Sequence, residues 1–167
     1  MHEKCGQVIF VGHSMGCLLG MMVQKEHPLF SGMLLLCCPF SVRPTVRYLR
    51  LGFLAACTRR QDPPVKAARE ANGVYARHKL AYLTCIRPYM ALFRLMKAAK
   101  ALTPPLPEQT LFCFSRRDEI VSLKSCYYAE NTLHAQTELL QDCGHNYFTQ
   151  QAKARLTELL LNMLADV

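Results

Sequence analysis

No apolar run in this sequence of 167 residues approaches the roughly 18 to 20 residues that a membrane-spanning helix requires. The opening stretch MHEKCGQ lacks a basic segment leading into an apolar one, so no secretory leader is read there. Nine cysteines are present, but CxxC pairs are missing, the count is odd, and Cys37, Cys38 and Cys113 lie inside apolar stretches. This excludes a zinc site built on paired ligands and points to reduced, buried thiols in a cytoplasmic protein. No metal and no cofactor is expected. Internal repeats and low-complexity tracts are also lacking, and the length fits one domain of ordinary size.

Acid is scarce in the middle of the chain. Between Ser41 and Pro107 there are thirteen Lys and Arg against two acids, Asp62 and Glu70, so this segment alone carries more than the net charge of +8. The plain reading is a solvated basic face. Sharper readings are attraction of anionic substrates or peripheral contact with an anionic membrane surface. Nucleic acid is not expected as a partner, because no recognised binding motif accompanies the charge.

Half of the chain is apolar, enough for a core. QVIFV (7–11) reads as a buried strand, SMGCLLGMMVQKEH (14–27) as a helix ended by Pro28, and SGMLLLCCPF (31–40) as a second strand. A strand, a helix and a strand in so short a span make a βαβ unit with parallel strands. From 41 to 107 the pattern is that of basic amphipathic helices, interrupted near Asp62-Pro63-Pro64 and Pro88 and closed by TPPLP (103–107). Tyr75, Tyr82, Tyr89 and Met96 recur every seven residues, and Leu92 and Phe93 extend that face. TLFCFS (110–115) and TELLQ (137–141) read as further strands. SLKSCYYAENTL (122–133) reads as a helix, and 146–167 as a long terminal helix with Phe148, Ala152, Leu156, Leu159, Leu160 and Met163 on its buried stripe.

The chemistry concentrates at Gly12-His13-Ser14-Met15-Gly16, where the first strand meets the first helix. A strand that turns abruptly into a helix passes through a tight bend, and Gly12 and Gly16 are expected to remove Cβ atoms that would clash there. The bend pushes the Ser14 hydroxyl outward, and the helix N-terminus favours negative charge at the same spot. The Met15 backbone N–H is then placed to stabilise an oxyanion formed when Ser14 attacks a carbonyl. A serine hydroxyl needs a base, and the base an orienting acid. Asp118 just past the third strand and His145 just past the fourth lie where parallel sheets keep their sites.

Gly12-His13-Ser14-Met15-Gly16, Arg117-Asp118-Glu119-Ile120-Val121 and Gly144-His145-Asn146-Tyr147-Phe148 together resemble the α/β-hydrolase superfamily. The nearest subgroup holds small esterases, monoacylglycerol lipase-like enzymes and serine aminopeptidase-like members. The resemblance runs from Gln7 to the C-terminus. It implies a parallel-sheet α/β fold with a core at 1–40 and 108–167 and a helical cap insertion at 41–107. By that resemblance Ser14 is the nucleophile, His145 the general base and Asp118 its orienting acid. The neighbours have plainer readings: His13 a turn residue, Glu119 solvated, Asp142 a loop cap. Asp62 is an alternative position for the acid, and Cys17 and Cys143 have no better claim than Ser14 as nucleophile. The aromatic and methionine stripe is either core or part of a cap over an acyl pocket.

The pattern departs from the family at its start. The chain opens about six residues before the nucleophile strand, so the first four strands of the family's eight-stranded sheet, and the loop that supplies a second oxyanion N–H, have no counterpart. The fold is therefore expected to be N-terminally truncated, either as a fragment or as a natural truncation, with weak activity or poor solubility on its own. Its first strand would present an unpaired edge. The leading expectation is a serine hydrolase that cleaves acyl or small carboxylic esters through an acyl-enzyme. Alternatives are an aminopeptidase-type or thioesterase hydrolase of the same fold, or a catalytically silent basic module that binds membranes or partners.

Overall fold

In the computed structural model of the chain, the described residues are 6–43, 45–58, 60–71, 86–101 and 106–165. Four strands, β1 (Ile9–His13), β2 (Gly32–Leu36), β3 (Gln109–Ser115) and β4 (Gln136–Leu140), form one sheet in the order β1-β2-β3-β4. All three pairings are parallel, with Ile9 opposite Gly32, Gly32 opposite Gln109, and Leu111 opposite Gln136. α1 (Met15–Glu26) crosses from β1 to β2, and α5 (Lys124–Asn131) from β3 to β4. α6 (Gln150–Ala165) follows β4. Among the described residues between β2 and β3 there are three helices: α2 (Val46–Cys57), α3 (Pro63–Ala71) and α4 (Ile86–Ala101).

The period-two alternation of the strands divides the core between two faces. Met33, Leu35, Phe112 and Phe114 point to one side, where they pack with Leu18 and Met21 of α1, Met96 of α4 and Ala129 of α5. Leu34 and Cys113 point to the other and meet Ala152 and Met163 of α6. Continuous apolar runs such as MLLL and LFCF are what a parallel strand covered on both faces requires. The predicted stripe of the terminal helix is found on this second face, with Phe148, Leu156, Leu159 and Leu160 half-buried beside Ala152 and Met163.

Two boundaries differ from the sequence reading by more than two residues. The apolar run 31–40 is strand only to Leu36, because Cys37 turns to φ 51° and donates its backbone N–H to the Cys113 carbonyl. Cys37, Cys38 and Phe40 are buried beyond the end of β2, so hydrophobicity alone overestimates the strand. The terminal helix starts at Gln150, with the Thr149 hydroxyl accepting from the Ala152 N–H, since 146–149 are used as loop.

In the 41–107 span, Pro63 takes the first position of α3, where its missing N–H costs nothing. Arg69 reaches back to cap the end of α2, donating to the carbonyls of Ala55 and Thr58. Tyr75 and Tyr82 of the predicted seven-residue stripe lie outside the described residues. Met96 is buried and Leu92 half-buried, but Phe93 is turned to solvent, against the expectation that it shares their face. Among the described residues no helix is long and apolar enough to cross a membrane.

Phe112 is fully buried on a central strand between Phe40 and Phe114. Phe112→Ala is expected to lower stability by about 3–5 kcal/mol, read as a shift in the denaturant midpoint.

Candidate active site

Ser14 occupies the single residue between β1 and α1, with φ 53° and ψ −125°. A side chain in this region costs about 1–3 kcal/mol and persists only where its surroundings enforce it. Here the Ser14 N–H donates to the Leu36 carbonyl at 2.8 Å, and its own carbonyl accepts from the Cys17 N–H at 3.0 Å. Gly12 permits the bend, because a Cβ there would stand 2.7 Å from the Phe10 ring and 3.1 Å from the Cys17 backbone nitrogen. Gly16 does not act this way. A Cβ at Gly16 would meet nothing within 4 Å, since the residue lies in the first turn of α1 away from β1. The close approach missed in the sequence is at Gly20, one turn on, where a Cβ would overlap the Phe10 ring. Met15 opens α1, so its N–H belongs to the first turn, which has no intrahelical acceptor.

Asp118 stands in the turn after β3 with its side chain almost completely buried. Its Oδ1 accepts from the backbone N–H groups of Ile120 at 2.8 Å and Val121 at 2.7 Å. Its Oδ2 is 2.8 Å from His145 Nδ1. His145, in the loop between β4 and α6, has its Nε2 3.0 Å from Ser14 Oγ. The structure thus brings Ser14, His145 and Asp118 into one line of hydrogen bonds from the ends of three parallel strands. Carboxylate and hydroxyl roles fix the directions: Nδ1–H donates to Asp118 and Ser14 O–H donates to Nε2. Asp62 lies outside this line and pairs with Arg60 at 3.0 Å. Asp142, at φ 54°, pairs with Arg117 at 2.9 Å on the surface. Cys17 Sγ is directed to the Leu36 carbonyl and Cys143 Sγ to the Gln141 carbonyl.

The sequence reading missed two residues that hold the His145 backbone. Glu119, expected to be solvated, is buried, and its Oε2 accepts from the His145 N–H at 2.8 Å. The carboxylate lies against Gly144, where a Cβ would be 2.5 Å from Oε1, which explains a glycine at that position. Arg47 of α2 reaches the same carboxylate at 3.4 Å. His13, expected to be a turn residue, donates from Nε2 to the His145 carbonyl at 2.9 Å. The residue keeps exposed surface, but its ring packs on His145 and Phe148. Burial, and then the neighbouring His145, lower the His13 pKa and so favour its neutral, single-donor form. The Ser115 hydroxyl, donating to the Cys143 carbonyl, ties the same loop to the end of β3. The only sequence signal for Glu119 and His13 was adjacency to Asp118 and Ser14.

Cys37 is buried beside Asp118. Burial first, then the Asp118 charge and hydrogen bond, push its thiol well above the usual range, so it stays protonated. His13, Cys37 and His145 do place metal-ligand atoms within 4.8 Å of one another. Yet both ring nitrogens of His145 and the Nε2 of His13 are already engaged in hydrogen bonds. A cleft lined by Tyr48, Leu51 and Gly52 of α2, Pro64 and Ala68 of α3, and Ile120, His145 and Tyr147 opens next to this group.

The two elbow glycines are expected to behave differently. Gly12→Ala should destabilise by about 1–3 kcal/mol through overpacking. Gly16→Ala should be neutral or gain up to about 1 kcal/mol from helix propensity. Thermal midpoints of the two variants check this. Glu119→Ala should cost about 1–3 kcal/mol by stranding the buried His145 N–H. Glu119→Gln, which keeps an acceptor and loses only the half-exposed Arg47 pair, should recover most of that. Equal midpoints for the Ala and Gln variants would refute the role given to the carboxylate.

The profile of the alpha/beta hydrolase family matches residues 2–159. No curated protein sequence matches the chain significantly. Solved structures resemble it at low identity. A monoacylglycerol lipase from Paleococcus ferrophilus aligns with a TM-score of 0.64 at 15% identity, over 99% of this chain and 71% of its own. A 2-hydroxy-6-oxo-6-phenylhexa-2,4-dienoate hydrolase from a Rhodococcus species aligns with a TM-score of 0.61 at 22% identity, over 98% and 66%. A carboxylesterase from the thaumarchaeon Nitrososphaera gargenis aligns with a TM-score of 0.52 at 16% identity, over 99% and 69%. The chain thus spans about two thirds of the length of these structures. With its family profile matched over nearly the whole sequence, and a parallel sheet flanked by helices that aligns with such hydrolases, the chain belongs to the alpha/beta hydrolase family.

Proposed function

We propose that the protein is a serine hydrolase of carboxylic esters, acyl or lipid-like, with Ser14 as nucleophile, His145 as general base and Asp118 as its orienting acid. The observation that carries the reading is the unbroken hydrogen-bond line from Ser14 Oγ through His145 to the Asp118 carboxylate. In the proposed reaction the Ser14 oxygen adds to the ester carbonyl while its proton passes to His145 Nε2. Asp118 stabilises the imidazolium through Nδ1–H. The oxyanion forms at the N-terminus of α1, where the Met15 N–H donates to it. Collapse of this intermediate breaks the bond to the leaving oxygen, which takes the proton from Nε2. Water, deprotonated by His145 Nε2, then adds to the acyl carbonyl, and collapse of this second intermediate breaks its bond to Ser14 Oγ, which takes the proton back from Nε2 as the acid is released. Every proton is carried by side chains of this chain, so the scheme uses no cofactor.

The 41–107 segment serves in this reading as the cap. Support comes from α2 and α3, which line the cleft that holds His145. The lipase and esterase names of the structural neighbours favour an ester substrate. The same chemistry would serve a thioester, and one neighbour is a thioesterase domain from the curacin biosynthetic pathway.

The purified chain should be labelled by a fluorophosphonate at Ser14 alone, with the modified peptide read by mass spectrometry. It should also hydrolyse a p-nitrophenyl ester, with kcat falling by at least about 10³-fold in Ser14→Ala and in His145→Ala. A folded sample that neither reacts with the probe nor turns over the ester would overturn the proposal.

A further inference from the structure

α2 has two unlike faces. Tyr48, Leu51 and Gly52 line the cleft that contains His145. On the outward side Val46 is 82% exposed, Leu49 66% and Phe53 64%, the three highest values among the large hydrophobic side chains of the described residues. Their spacing of three and four residues aligns them as one stripe on the helix. Arg43, Arg47 and Arg50 are exposed beside it, and the helix contains no acidic residue. α4 repeats the mixture, with Met90 and Phe93 exposed among Arg87, Arg94 and Lys97.

A bare apolar stripe of this size in water is unfavourable unless something covers it. A second copy of this chain would bring the same arginines face to face and be repelled. Apolar side chains flanked by arginine and free of acid suit a surface with an apolar interior and an anionic rim. We propose that the outward face of α2 docks on an anionic lipid bilayer, with Val46, Leu49 and Phe53 entering the acyl boundary and Arg43 and Arg50 meeting the headgroup phosphates. Arg47 is drawn back to Glu119 and contributes less. Docking on this face lays the bilayer against the back of the helix that lines the His145 cleft. An acyl ester leaving the bilayer then has a short path past α2.

The test is co-sedimentation of the chain carrying Ser14→Ala with vesicles of phosphatidylglycerol and phosphatidylcholine, and with vesicles of phosphatidylcholine alone. Sedimentation reads binding without turnover, so its failure is distinct from failure of the hydrolase reading. Partitioning to the anionic vesicles should exceed that to neutral ones by about tenfold and should weaken as salt is raised. V46S/L49S/F53S should abolish it, and R43Q/R50Q should weaken it while preserving the circular dichroism spectrum. Leu161→Ser, at an exposed apolar position of α6, should leave binding unchanged. Absent binding to anionic vesicles overturns the proposal, as does unchanged binding by the folded triple variant. A dimer that is lost in V46S/L49S/F53S also overturns it, in favour of a second copy as the occupant.

Discussion

His145 has to reach Ser14 and Asp118 at once, although the three residues come from loops at the ends of three different strands. An imidazole on a loop has no intrinsic reason to hold that pose. Four hydrogen bonds impose it: the ring donates to Asp118 and accepts from Ser14, while the peptide N–H donates to Glu119 and the carbonyl accepts from His13. The residues that hold the backbone are the immediate chain neighbours of the residues that hold the ring. Each strand-end loop therefore makes a double contact with the β4–α6 loop, and a shift of either loop would disturb ring and peptide together. Buried hydrogen bonds of this kind are strong because the alternative is an unsatisfied group out of water.

This convergence depends on the parallel sheet beneath it. All four strands run parallel, with His13 opposite Leu36, Leu36 opposite Cys113 and Ser115 opposite Leu140, so the carboxyl ends of β1, β3 and β4 finish at the same edge of the sheet. The same pairing supplies the Leu36 carbonyl that holds Ser14 in a backbone conformation a serine would otherwise avoid. The strain at the elbow is thus balanced by the ladder and by the fully buried residues on both sides of it, Leu34, Leu35, Phe112 and Cys113. Local distortion at a site supported by a regular core is a recurring arrangement in folded proteins.

The helices between β2 and β3 join the site to the protein's basic surface. Arg47 is on α2, yet its guanidinium meets Glu119, which in turn holds His145. Thr45, which caps the same helix, donates to the Glu119 carbonyl. The helix that carries the exposed apolar stripe is therefore anchored to the loop that carries the acid. The exposed apolar stripe, the basic charge and the contact to Glu119 meet in one short element.

Much of this architecture was legible in the order of residues. The apolar runs, the GHSMG turn and the positions of Asp118 and His145 just past strand-like segments follow from local rules of periodicity and turn formation, which act over a few residues. The places where local rules failed have a common cause. Cys37 to Phe40 look like strand because burial and strand pairing leave the same apolar signature. Gly16 looks like a required glycine, yet the space that matters is beside Gly12 and Gly20, where the Phe10 ring packs. Glu119 looks like a surface acid, and only its contact with a backbone N–H 26 residues away makes it a buried one. Sequence by itself determined which residue types could do the chemistry and in what order they arrive. Tertiary structure decided which of them are buried, which backbone groups they satisfy and which face of α2 is left bare, because those depend on neighbours distant in the chain.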